Sequence, residues 1–177
     1  MALHEGLADG ELDLVPLTEA HREGLRAACR EDDAIWEIYP TSYAPDRFDA
    51  TFDALLANAA RLPFAIRLGG QVIGMTAYLG VDAPRGVLEI GNSYIVPRAR
   101  GTGLNRRIKR LMIDHAFAEG FRRIEFKVDQ RNARSQAAVA KLGAVREGVL
   151  RQERITWTGH VRDTVIFGLL RDEWQPG

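Results

Sequence analysis

A single cysteine, Cys29, is the whole thiol content of this 177-residue chain. An intrachain disulfide is therefore excluded, and the composition fits a reducing compartment. Neither charge sign is in excess, since 24 Lys and Arg stand against 24 Asp and Glu. No global field draws such a chain to nucleic acid or to a membrane, so any anion site must come from local clustering. No segment approaches the roughly 20 consecutive apolar residues that a membrane helix requires. The first ten residues carry acids and no long apolar stretch, which argues against a signal peptide or anchor and gives cytoplasmic as the expected address. His, Cys and acidic residues do not cluster at metal-ligand spacing, so no metal is expected. A Gly-x-Ser-x-Gly nucleophile elbow is missing, as is the Gly-x-x-x-x-Gly-Lys-Ser/Thr loop of nucleotide hydrolases. Internal repeats, low-complexity tracts and Ser/Gly linkers are also missing. One domain over residues 1–177 follows, large enough to bury roughly 70% of its unfolded surface.

The pattern that is present alternates between two periods. Leu12, Leu14 and Pro16 interleave with polar residues as a short strand does. Thr18 is placed to cap a helix running to about Arg30, and Asp46 to cap a second one carrying Phe48, Phe52, Leu55, Leu56 and Ala59. Residues 64–68 and 72–78 read as strands joined by the hairpin dipeptide Gly69-Gly70. Residues 87–96 form a longer strand, in which Gly91-Asn92 suggests a bulge or splay. A helix over 104–118 puts Leu104, Ile108, Leu111 and His115 on one stripe, which reads His115 as a core histidine, and Gly120 ends it. A strand at 124–128, a helix at 132–142 stopped by Gly143, and strands at 145–155 and 161–169 complete the chain. Helices early, then antiparallel strands, then strand–helix–strand–helix–strand, define an α+β (mixed α/β) domain with a parallel pair in the middle.

Chemistry concentrates between residues 96 and 110. Gly101 and Gly103 stand between a strand and a helix, where glycine lets main-chain N–H groups converge on an oxygen. The helix start adds unpaired donors and about half a positive charge. Arg106, Arg107, Lys109 and Arg110 crowd that start while Asp114 and Glu119 lie toward the end, the reverse of what the helix dipole prefers. A polyanion resting on the N-terminus would offset the conflict, with Arg98 and Arg100 reaching it from the loop. A solvated basic face is the plain alternative. A nucleic-acid face is disfavoured because no aromatic residues interleave with the bases. A small diphosphate-bearing ligand fits best.

Strand, Pro97, then Arg100-Gly101-Thr102-Gly103-Leu104-Asn105, then helix, resembles the acetyl-CoA signature Arg/Gln-x-x-Gly-x-Gly/Ala of the GNAT superfamily of N-acetyltransferases. Asn105 stands where that signature has Gly or Ala. A second block, Asn132-Ala133-Arg134-Ser135 followed by Lys141-Leu142-Gly143-Ala144 and Glu147-Gly148, resembles the RimJ/RimL-type ribosomal-protein acetyltransferases, as does Arg171-Asp172-Glu173-Trp174. The resemblance implies a central, mostly antiparallel twisted sheet of six to seven strands with a splayed parallel pair, flanked by about four helices. It further implies acetyl-CoA as cofactor, with pantetheine amides pairing against Tyr94, Ile95 and Val96. The pyrophosphate would meet Arg98, Arg100 and the amides of Gly101, Thr102, Gly103, Leu104 and Asn105, and Asn132 and Ser135 would contact the cofactor from the next helix.

The same resemblance implies direct acetyl transfer to a primary amine on a small molecule or a protein N-terminus. The superfamily often has a tyrosine seven residues after the Asn as thiolate acid; Val139 occupies that position here, leaving Ser135 as the candidate donor. For the base, Glu89 and Glu153 are rivals, since either carboxylate could deprotonate an ammonium through water. Trp36, Tyr39, Asn92 and His160 are candidate acceptor contacts. A homodimer is compatible with this reading, a membrane partner is not expected, and a non-catalytic acyl-CoA-binding module on the same fold is the alternative function.

Overall fold

The computed structural model describes residues 2–176. Its strands are β1 (Leu7–Asp9), β2 (Leu12–Pro16), β3 (Arg61–Leu68), β4 (Gln71–Asp82), β5 (Val87–Ile95), β6 (Arg123–Asp129), β7 (Val145–Ile155) and β8 (Val161–Leu170). Its α-helices are α1 (Arg22–Cys29), α2 (Phe48–Ala57), α3 (Leu104–Ala118) and α4 (Ala133–Lys141). All strands join one sheet in the order β1-β2-β3-β4-β5-β6-β8-β7. Every neighbouring pair is antiparallel except β5 and β6. The mixed fold with a central parallel pair is thus the one expected, with eight strands in place of six to seven. The extra strand is β1, whose three residues Leu-Ala-Asp are too few to display a period.

Local chemistry sets most boundaries. Gly69 and Gly70 take left-handed φ values of 56° and 81° between β3 and β4, as a two-residue hairpin loop requires. Thr18 opens a 3-10 turn, exchanging contacts with His21, before α1 begins. Asp46 does not cap α2; Arg47 takes that position and the helix starts at Phe48. Along α3 the buried residues are Leu104, Ile108, Lys109, Met112, Ile113, Ala116 and Phe117. The stripe is rotated from the expected one, which corrects the reading of His115: it is half-buried, with Nε2 3.2 Å from the carbonyl oxygen of Ala2. Two buried hydroxyls tie helices to the sheet, Tyr94 Oη donating to Ala28 O of α1 and Tyr78 Oη to Met112 O of α3, each at 2.7 Å.

The feature that makes a site is the short parallel ladder. Only Val87, Leu88 and Glu89 of β5 pair with Arg123, Ile124 and Glu125 of β6, although both strands continue. The cause lies in β5 itself. Ala77 pairs with Gly91 and Met75 with Tyr94, so Asn92 and Ser93 together face Thr76. Asn92 accordingly adopts φ 50°, a left-handed conformation that Asn tolerates better than most residues. A bulge of this kind bends its strand, here away from β6.

Candidate active site

Where β5 and β6 part, a cleft of ≈ 340 Å³ opens. Tyr39, Glu89, Asn92, Tyr94 and Ile95 line it from β5 and from the loop that covers the bulge. Arg100, Gly101, Asn105, Asn132 and Ser135 line it from the loop before α3, the start of α3 and the start of α4. Residues about 100 positions apart in sequence are thereby gathered around one gap.

The glycine turn has the geometry of an anion cradle. Gly101 and Gly103 sit at φ 73° and 84°. A Cβ at either would meet no atom within 4 Å, so backbone conformation rather than space demands glycine there. Among the described residues the amides of Gly101, Thr102, Gly103, Asn105 and Arg106 donate to no acceptor, while Leu104 N reaches Thr102 Oγ1 at 3.4 Å. Free amides at a helix start are donors in waiting.

The bases around the turn are distributed differently from the sequence picture of one converging cluster. Arg98 is paired with Glu31, Arg107 with Asp9 at 2.8 Å, and Arg110 with Asp114 at 3.5 Å. Arg100 bonds Asp32 at 2.6 Å and Ile95 O at 3.1 Å, while its Nη2 is buried without a partner. Lys109 is 6% exposed, and burial drops its ammonium to a pKa of about 7. It donates to Ser93 Oγ at the bulge.

The two rival carboxylates separate in environment. Glu89 is largely buried, and loss of water raises its pKa against the pull of Lys127, whose Nζ lies 3.3 Å away. Glu153 accepts from Arg154 at 2.6 Å and from Thr164 at 2.9 Å, and those bonds hold it down to about 2. A carboxylate so firmly ionised is a weak base, whereas Glu89 combines access to the cleft with a pKa nearer neutrality. Asn132 caps α4, its Oδ1 accepting from Ser135 N at 3.0 Å, and the Ser135 hydroxyl has no partner among the described residues. Val139, at the position of the missing tyrosine, is buried.

Eight candidates lie outside the cleft lining: Glu153, then Arg98, Thr102, Gly103 and Leu104 at the turn, and Trp36, Val96 and His160. Trp36 is fully buried and serves the core, packing on Tyr39, Tyr43 and Tyr94. Val96 is fully buried and donates to Ile73 O at 2.9 Å. His160 borders a separate depression with Gln152 and Asp163. Tyr39 does reach the site: its hydroxyl donates to Ser93 O at 2.6 Å, fastening the loop over the bulge. Lys109, Lys127, Arg154 and Arg162 line the cleft as well; the sequence reading named Lys109 only as one of the bases at the helix start and the other three not at all. For Lys109 the signal existed, because position 109 falls between Ile108 and Met112 on the apolar stripe of α3.

A splayed parallel pair with a glycine turn at the following helix is the expected arrangement, and comparison with known proteins supplies the family. Residues 11–145 match the model of the acetyltransferase (GNAT) domain, and the chain belongs to that family. It is similar to a GNAT-family protein from Chromobacterium violaceum at 30% identity, with TM-score 0.88 over 97% of this chain and 88% of that one. A GCN5-related N-acetyltransferase from Brucella melitensis superposes with TM-score 0.89 at 26% identity, covering 97% of this chain and 80% of the other. Mycobacterium smegmatis RimJ in complex with CoA-disulfide shares the fold, with TM-score 0.79 at 22% identity over 94% and 85% of the two chains. The family uses acetyl-CoA, and no group of three or more metal-ligating side chains occurs among the described residues.

Proposed function

We propose that this chain is an acetyl-CoA-dependent N-acetyltransferase that moves the acetyl group directly to a primary amine, on a small molecule or a protein N-terminus. One observation carries the reading: a single cleft joins the free amides of the glycine turn to a buried, raised-pKa carboxylate at Glu89. The residues fit the cofactor. Gly101 and Gly103 leave an open concavity of N–H donors, the buried Nη2 of Arg100 lacks a partner, and the diverging edge of β5 has main-chain groups to offer an extended amide chain.

When bound, acetyl-CoA supplies the activated thioester; the chain supplies position and protons. The turn amides would hold the pyrophosphate, and a main-chain N–H near Tyr94 or Ile95 would polarise the acyl carbonyl. Glu89 takes a proton from the ammonium acceptor, directly or through water. Ser135 holds the proton destined for sulfur. Asn132 fixes the start of α4 and thereby the place of Ser135. Holding the two reactants in register contributes much of the acceleration. The Asn132–Ser135 block further supports the RimJ/RimL-type branch.

Thiol release from acetyl-CoA with a range of amines tests the assignment. Ser135→Ala is expected to lower kcat by roughly 10²-fold or more with little change in acetyl-CoA affinity; equal losses in both, or none, remove Ser135 from the mechanism. Val139 in place of tyrosine favours a second reading, a non-catalytic acyl-CoA-binding module, which predicts binding without thiol release on any acceptor.

A further inference from the structure

Arg162 stands out among the charged side chains of the cleft. It is 3% exposed and meets only neutral acceptors: Nε donates to Thr164 Oγ1 at 3.0 Å and Nη2 to Lys127 O at 3.3 Å. Among the described residues it forms no ion pair. Its Nη1 makes no hydrogen bond there, yet is not among the sealed unsatisfied atoms, so it keeps a window on the cleft it lines. A guanidinium stays charged at any ordinary pH; burial pulls its pKa down here, and the carboxylates of Asp129, Glu153 and Glu89 offset that only through space, none of them in a direct ion pair with it.

Its neighbours deepen the imbalance. Arg154 pairs directly across from it on β7 and is engaged by Glu153. Lys127 is engaged by Glu89. Arg61 lines the same cleft and has no ion-pair partner among the described residues. It shares a sheet row with Glu89, through Arg61↔Leu79 and Leu79↔Glu89. Four cations thus meet two carboxylates, and the other acids close by are taken: Asp129 by Arg131 at 2.8 Å, Glu125 by Arg123 at 3.1 Å.

We infer that Arg162 anchors an anionic group of the acceptor, so that the amine acetylated in this cleft carries a carboxylate or a phosphate a few bonds from its nitrogen. The inference rests on the acetyltransferase reading above and narrows its acceptor. The arrangement separates the two ends of such a molecule: Arg162 on β8 attracts the anion, while Glu89 on β5 attends the ammonium. A polyamine offers only the charge that this wall repels.

The test compares amino acids with their amides, O-phosphoethanolamine with ethanolamine, and spermidine, in acetyl-CoA thiol release. Anion-bearing amines are expected to exceed their neutral partners in kcat/KM by roughly 10- to 100-fold, the value of a charge-assisted hydrogen bond. That ratio is expected to collapse in Arg162→Gln, whose fold is checked by its retained thermal stabilisation with acetyl-CoA. The amino-acid and phosphate series distinguish the two anions. Equal or better turnover of amides, ethanolamine or spermidine overturns the inference, as does a ratio unchanged in Arg162→Gln. Should that variant not fold, the wild-type ratio alone decides. If no amine is acetylated, titration of the CoA-loaded protein with N-acetyl amino acids, N-acetyl amino-acid amides and O-phospho-N-acetylethanolamine decides. Preference for the anions then sustains the anchor while the enzymatic reading falls, and no preference overturns it.

Discussion

Glu89 and Glu153 carry the same functional group and are pushed in opposite directions by their surroundings. Burial raises Glu89, so its base form is lost at acid pH and recovered as pH rises. The expected kcat/KM profile therefore has an ascending limb that disappears in Glu89→Gln, measurable by thiol release across pH 4–9 as a rough span. Glu153 is depressed to about 2 from 4.5, so its contribution to stability is present above pH 4.5 and fades as pH falls toward 2. Acid unfolding of Glu153→Gln is expected to be less steep over that window. Lys109 behaves oppositely. Its amine has a folded pKa of about 7 against 10.5 when exposed, so between those values the unfolded chain binds the extra proton. Lys109→Met is accordingly expected to stabilise the protein near pH 7 by about 1–4 kcal/mol, with the gain shrinking toward pH 10 in chemical-denaturation curves. None of these environments can be read from composition. Glu89 and Lys127 are 38 positions apart, and only the sheet register makes them a pair.

At the level of elements, the glycine turn and the bulge were legible before any coordinates, because each is written in adjacent residues. Gly101-Thr102-Gly103 before a basic helix, and Gly91-Asn92 within a strand, announce unusual backbone, and both have it. What the local pattern could not carry was partnership. The arginines flanking the turn look like ligands in sequence, yet Glu31, Asp32 and Asp9, far upstream, occupy three of them. Trp36 reads in sequence as an acceptor contact and is core, since a loop rich in aromatics can close inward as well as over a ligand. Gly74 drew no attention, yet a Cβ there would sit 2.0 Å from Tyr94 O. Gly74→Ala is expected to cost roughly 2–4 kcal/mol and to disturb the bulge that shapes the cleft, seen as a lower Tm together with weaker acetyl-CoA binding. Gly103→Ala, which has room but a left-handed φ, is expected to cost only about 1 kcal/mol.

For the molecule as a whole, the sheet order places the parallel pair at the centre and both its neighbours antiparallel, an arrangement that the alternation of helices and strands late in the chain foreshadowed. The three-residue β1 escaped that reading for want of length. A ligand that occupies the centre of such a sheet stabilises the entire fold by mass action. Acetyl-CoA at 100 times its dissociation constant is expected to add about 2.7 kcal/mol, visible as a raised melting temperature.

The three-rung ladder between β5 and β6 has a mechanical consequence. Beyond Glu89 and Glu125, five strands on one side and three on the other are not stitched together by main-chain bonds. An extended cofactor arm lying between them would serve as a removable ninth strand. The seam should then be the region whose amide deuterium uptake slows most when the nucleotide enters, so that occupancy reads out as stiffness across the middle of the protein.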